Sequence, residues 1–227
     1  SAKIEFDYVA DITKRPLENY KGLSFTEQDI RDKFNFEGEV SKRHYWNSFG
    51  NRNIIWFYAH LRMLYYYEAN PNYDFYWFYD DDVTIRNWKA FHAGFEDNKA
   101  DFISQYGFKQ PGIKNQSNVP EMDNRTTSKH MWFERFPGEG DILFDDTTEL
   151  FGSFFPIVRY SNRAMAKLVQ CLKEGIYGYS EGFVPTILNY YGMGLDTIFN
   201  SNSQAKYFDD SIVDVKHKNI KINWEWI

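Results

Sequence analysis

Residues 56–83 read WFYAHLRMLYYYEANPNYDFYWFYDDDV, and the order of events in that stretch decides the fold. A run that is apolar nearly all round covers Ile54 to Ala69, with Asn53 placed as its N-cap and Asn70-Pro71 as its stop, which predicts a well-buried helix. Phe75–Tyr79 follows as five consecutive aromatic residues of strand length, the pattern of a central strand covered on both faces. It stops in Asp80-Asp81-Asp82. In open α/β sheets ligands bind at the carboxyl ends of strands, so the three acids stand where a ligand is expected. Adjacent carboxylates repel unless a cation neutralises them, and oxygen donors spaced i and i+2 suit Mg²⁺ or Mn²⁺. The plainer reading is a solvated acidic turn that caps the next helix. Arg62 lies on the apolar helix, where an unpaired charge is costly, and it needs an acid or a phosphate as partner.

Working outward, the flanks repeat the alternation of helix and strand. Before the key stretch, Lys3–Ala10 alternates weakly as a strand, Thr26 opens a short charged helix to about Lys33, and residues 37–53 are polar with turns at Gly38 and Gly50. After it, a helix is predicted near Trp88–Asp97 and a strand at Ala100–Gln105. Residues 106–141 hold much Pro, Gly and Asn, as expected of a long functional loop or a disordered one. Leu150–Tyr160 reads as strand. Ser161 caps a helix with apolar positions at Ala164, Met165, Leu168, Val169 and Leu172, and Gly175 ends it. A last helix starts near Glu181-Gly182, with Pro185 expected in its first turn, and runs to Gly192; from Ser211 the chain is short strand and loop. The whole predicts one α/β domain over residues 1–227, helices sandwiching a largely parallel sheet.

Composition bounds the function. The 227 residues carry a net charge of −6, which argues against a nucleic-acid partner or an anionic membrane. No apolar run approaches the ~20 residues of a bilayer span, and the N-terminus shows no signal-peptide pattern. Cys171 is the single cysteine, so neither an internal disulfide nor a multi-cysteine zinc site is possible. Aromatic residues make up 20% of the chain while mean hydropathy is −0.62, a pairing that suits a polar ligand with flat apolar faces or, equally, an aromatic core.

Residues 56–83 resemble the heart of the GT-A-fold, nucleotide-sugar-dependent glycosyltransferases, in which a helix with a Leu-Arg pair leads through a proline-marked turn into an aromatic strand ending in a DXD motif. The resemblance continues at FPIVRYSNRAMAKLVQCLKEGIYGYSEGFVPTILNYYGMGL, residues 155–195, and spans about Asn53 to His217. It implies a GT-A-type, Rossmann-like α/β/α sandwich and a transferase that moves a sugar from a nucleoside-diphosphate donor to an acceptor hydroxyl, on a glycan by preference. Asp80 and Asp82 would serve a Mn²⁺ or Mg²⁺ ion, with His217 completing its shell. Arg62, Asp80 and Asp81 would lie at the donor nucleotide. Glu181 maps onto the acid that, in inverting members, is the general base. The family opens with a strand and loop for the base, for which Lys3–Asp11, with Asp11 at its end, is the best match; the N-terminal strand is expected to be incomplete.

Each residue also has a structural reading. Glu181 suits a helix dipole, and His217 sits in an exposed-looking Lys-His-Lys run. Asp145-Asp146 reads as helix capping or as part of an acceptor site or a base, and Trp132 and Phe133 as a sugar platform or as core. Two other classes remain open: a nucleotidyltransferase, which usually needs a Gly-rich basic loop that is not found near the N-terminus, and a non-catalytic carbohydrate-binding protein. The lone cysteine and missing signal pattern favour the cytoplasm or a membrane periphery; an N-terminal anchor outside this sequence would instead place the domain in the Golgi lumen.

Overall fold

In a computed structural model, the structure describes residues 5–14, 17–18, 20–37, 54–80, 83–110, 150–198 and 213–214. Near the N-terminus, β1 (Val9–Asp11) pairs in parallel with β2 (Leu23–Phe25). Helix α1 (Glu27–Phe34) follows, opened by Thr26 as predicted: the Thr26 hydroxyl accepts from the Asp29 N–H, and the Asp29 carboxylate accepts from the Thr26 N–H.

The predicted helix over 54–69 forms as two pieces, α2 (Ile54–Phe57) and α3 (His60–Ala69). The break has a cause distant in sequence. The His60 N–H donates to the Ser180 hydroxyl at 3.2 Å, and the Leu61 N–H donates to the Tyr58 C=O in a tight turn at 2.8 Å. No side chain caps α3 from its own N-cap position, so a serine distant in sequence does that work. The predicted strand is present as β3 (Phe75–Tyr79), but the expected central place is corrected: among the described residues it is an edge strand, in which Tyr76 alone is buried and the other four residues are half-buried. β4 (Thr84–Ile85) and α4 (Trp88–Ala93) come next, the latter capped by Asn87. Then follow β5 (Phe102–Gln110), β6 (Leu150–Ser161), α5 (Asn162–Lys173), α6 (Ser180–Tyr190), β7 (Leu195–Thr197) and β8 (Val213–Asp214), which pairs with β4.

The main sheet has the order β3-β6-β5-β7. Both β3/β6 and β6/β5 are antiparallel, and β5/β7 is parallel. The chain is thus α/β, but the expected largely parallel sheet is corrected to a mixed one. Three strands, β3, β5 and β7, share a direction; β6 runs against them and sits between two of them. The reason is connectivity. Parallel neighbours need a crossover, usually helical, whereas β6 runs antiparallel beside β5 from Gln110↔Leu150 to Phe102↔Tyr160, a pairing that requires none.

Strand periodicity distributes the core between two faces. Tyr76, Phe102, Val158 and Tyr160 pack with α1, α2, α3, α5 and α6 on one face. Trp77, Tyr79, Ile103 and Ile157 pack with Phe91 and Phe95 from α4 and the following turn on the other. Leu61, Leu64, Leu168, Ile187 and Leu188 are fully buried on the first face, each stabilising it by roughly 1.5–3 kcal/mol. The Ser161 cap and the Gly175 stop stand as predicted: Ser161 Oγ accepts from the Ala164 N–H, and Gly175 adopts φ +75°, the left-handed conformation that glycine takes most readily.

Pro185 departs from expectation. Helix α6 starts at Ser180, so Pro185 falls inside it rather than in its first turn. A residue there would donate its N–H to the Glu181 carbonyl, which proline cannot do. The Ser153 hydroxyl, 3.2 Å away on β6, donates to that carbonyl instead. Among the described residues no helix is long and apolar enough to cross a membrane.

Candidate functional site

Asp80 is the first residue beyond β3 and lies at the carboxyl end of the strand. Its backbone N–H donates to Pro156 C=O at 2.9 Å, and its C=O accepts from Val83 N–H at 3.1 Å, which turns the chain sharply out of the sheet. On the strand, Tyr76 and Phe78 face the helical layer of α3, and Asp80 continues that alternation. Arg62, one turn into α3, donates from Nη2 to Asp80 Oδ1. Both side chains are about one-third exposed, at 35% and 32%, so the pair is reachable from solvent. The need of Arg62 for an acid or a phosphate is met here by the acid.

Glu181 comes from another helix on the same face of the sheet, as the second residue of α6. Its Oε2 accepts the Tyr179 hydroxyl at 2.7 Å, and its carboxylate also accepts the Phe155 backbone N–H. Burial raises its pKa to about 7; the Asp80 charge adds to the rise, while the bonds from Tyr179 and Phe155 oppose it. A carboxyl titrating there changes state at neutral pH.

A bulge in β6 supplies both backbone contacts. Ser104 pairs with Val158 and Tyr106 with Phe154, so three residues of β6, 155–157, lie against Gln105 alone. Pro156 has no N–H to give to a ladder, and proline within sheets is confined to edges and bulges. The irregularity directs the Phe155 N–H to Glu181 and the Pro156 C=O to the Asp80 N–H. Bulges of this kind re-aim groups next to active sites. Two acids 101 positions apart in sequence are thereby anchored to adjacent residues of one strand.

Of the predicted site residues, the structure gathers Arg62, Asp80 and Glu181. Asp11 lies at the end of β1, exposed, with its Oδ1 accepting from the Thr13 N–H and hydroxyl in a local turn. Asp81, Asp82 and His217 lie outside the described residues, as do Trp132, Phe133, Asp145 and Asp146. Asp80 is therefore the described member of the expected metal shell, and among the described residues no three His, Cys, Asp or Glu side chains cluster.

Sequence reasoning missed Tyr179, Ser153, the β6 bulge and the pairing of His60 with Ser180. Pro156 within a strand-like run was the available signal for the bulge. The others depend on which helix packs against which strand, and no local pattern carries that.

Comparison of the chain with protein-family models, curated proteins and solved structures finds no match.

Proposed function

We propose that the chain is a metal-dependent glycosyltransferase built on a GT-A-type sandwich, transferring a sugar from a nucleoside-diphosphate-sugar donor to an acceptor hydroxyl, on a glycan by preference. The observation that carries this reading is the meeting of Glu181, titrating near neutrality, with the Arg62–Asp80 pair at the carboxyl end of β3. The resemblance of residues 56–83 and 155–195 to that family supplies the roles.

Asp80 is an oxygen donor at a strand end and heads a run of three acids, a donor set of the hard type that Mn²⁺ and Mg²⁺ prefer. Asp80 and Asp82, with His217, would hold such an ion, which stabilises charge on a departing diphosphate. Arg62 supplies a fixed positive charge at the same place; with a donor bound it neutralises Asp80 or a phosphate oxygen.

Glu181 does the acid–base work. Its carboxylate takes the proton of the acceptor hydroxyl as that oxygen bonds to the anomeric carbon, while the bond from that carbon to the diphosphate oxygen breaks and the nucleoside diphosphate leaves. A base with a pKa near 7 is largely ionised at slightly alkaline pH yet still basic enough to accept a proton in the transition state. Tyr179 holds one carboxylate oxygen and so limits its rotation.

The test is a screen of nucleotide sugars with Mn²⁺, reading release of nucleoside diphosphate. One donor is expected to turn over, and Asp82→Asn to abolish metal-dependent release while the protein stays folded. Release undiminished in that variant sinks the proposal. Binding of free glycan without nucleotide or metal, and no release from any donor, favours a carbohydrate-binding protein instead.

A further inference from the structure

His60 is a buried titratable group that the chemistry above does not use. It is 1% exposed, with its ring 5.6 Å from that of Phe183 and 6.4 Å from that of Tyr58. Burial lowers its pKa to about 3, so it stays neutral over the whole working range and cannot act as a pH switch. Its backbone N–H and ring Nδ1 nonetheless converge on one distant group. The backbone N–H donates to Ser180 Oγ at 3.2 Å, and ring Nδ1 lies 2.8 Å from the same oxygen. Ser180 is itself 1% exposed.

The position of this contact gives it meaning. His60 begins α3 two residues before Arg62, and Ser180 begins α6 one residue before Glu181. The clasp therefore joins the starts of the two helices that deliver the base and the cation, and it is where the helix expected over 54–69 breaks. Diverting a backbone N–H out of a helix carries a cost unless the new partner holds it well. A hydroxyl that engages both nitrogens meets that condition.

We propose that the His60–Ser180 clasp is a positioning device that sets Glu181 relative to the Arg62–Asp80 pair. Neither residue touches substrate; both act through the helix starts they join. This rests on the reading of Glu181 as the base. A base held loosely by its helix loses near-attack geometry, and a misplacement of about 1 Å can cost on the order of a hundredfold in rate.

The experiment compares three variants of the whole chain on the donor that turns over: Ser180→Ala, His60→Phe and His60→Asn. Phenylalanine fills the apolar pocket but cannot bond Ser180. Asparagine places a polar atom where Nδ1 stood but leaves space unfilled. Ser180→Ala and His60→Phe are expected to lower kcat about ten- to a hundredfold, with donor KM changed less than twofold. His60→Asn is expected to recover most of kcat even though it melts at a lower temperature than His60→Phe. A purely structural role predicts the opposite, with kcat following melting temperature in all three. That outcome, or Ser180→Ala with wild-type kcat, overturns the inference while leaving the transferase reading in place. A wild-type chain inactive on every donor overturns the reading and the clasp together.

Discussion

The two ends of the main sheet each hold a carboxylate against buried structure, and the two are treated in opposite ways. Asp101, just before β5, is 2% exposed. It receives Arg163 through two guanidinium nitrogens, the Ser161 hydroxyl at 2.7 Å and the Gly194 N–H at 3.0 Å. Burial pushes its pKa up, but the bonds from Arg163, Ser161 and Gly194 outweigh it, and the net shift is downward. Glu181, at the end of the sheet where β3 finishes, has among the described residues the Tyr179 hydroxyl and the Phe155 N–H as donors, and the Asp80 charge nearby raises its pKa further. The arginine at that end, Arg62, is bonded to Asp80. Burial is thus common to both groups, and the partners decide what it yields. A full set of donors holds Asp101 ionised well below neutral pH, where it ties β5, β6, β7 and α5 together. A partial set leaves Glu181 able to exchange a proton.

That contrast can be broken or sharpened by substitution. The largest effect is expected at Glu181. Glu181→Gln should lower transfer about 10²–10⁴-fold, the usual contribution of a general base. It should also remove a pH-dependent weakness. Because the folded pKa of about 7 lies above the ordinary 4.5, the contribution of Glu181 to stability is fully present below pH 4.5 and is lost as pH rises through 7. The variant should accordingly resist denaturant better than the wild type at pH 8, with the advantage fading toward pH 4.5. Denaturation at several pH values, scored beside activity, checks both; a variant no more stable at pH 8 than at pH 4.5, relative to wild type, contradicts the assignment.

Asp101→Ala should do the reverse. It strands buried donors from Ser161 and Gly194 and is expected to cost roughly 2–4 kcal/mol of stability. The turnover of the protein that remains folded should be unchanged. Its pH signature also has the other sign: the contribution of Asp101 is present above the ordinary carboxylate pKa and is lost as pH falls through the lowered one. Acid titration of wild type and variant, followed by circular dichroism, separates them, since the variant should lack the acid-sensitive part.

The smallest change is Tyr179→Phe, which deletes one hydroxyl at a buried site. A hydrogen bond to a charged group is worth ~1.5–3 kcal/mol, so its loss should move the Glu181 pKa up by about one to two units. The pH–rate profile should shift toward alkali by that amount, with rate recovered at high pH. A profile that does not move would show that Tyr179 packs beside Glu181 without tuning it.

Local chemistry made much of this legible beforehand. The strand state of Phe75–Tyr79, the Thr26 and Ser161 caps, the Gly175 stop and the helical spacing of α5 are written in neighbouring residues, and each formed as read; the central place expected for that strand did not, because β3 lies at the edge of the described sheet. The pairing need of Arg62 was legible too, because a cation on an apolar helix demands an anion. The direction of β6 was not legible, since periodicity reports which faces are buried and not which way a neighbour runs. Nor was the break at Tyr58–Ala59, whose cause lies 120 residues away at Ser180. The aromatic excess, which first suggested ligand stacking, serves in its described members mainly as core: Tyr76, Phe102, Tyr160 and Phe183 lie buried on one face of the sheet and Phe91 and Phe95 on the other.

From its sequence alone this protein acquires an α/β chain, an aromatic strand, and an acidic run where that strand ends. Those follow from side-chain volume, hydropathy and spacing, which act over a few residues. Only the tertiary structure decides that Glu181 approaches Asp80, that Pro156 opens the strand which holds both, and that Arg62 is bonded to one acid and not the other. Protonation near neutrality depends on desolvation and on charges brought from distant parts of the chain, so it comes into being only when those parts have packed together.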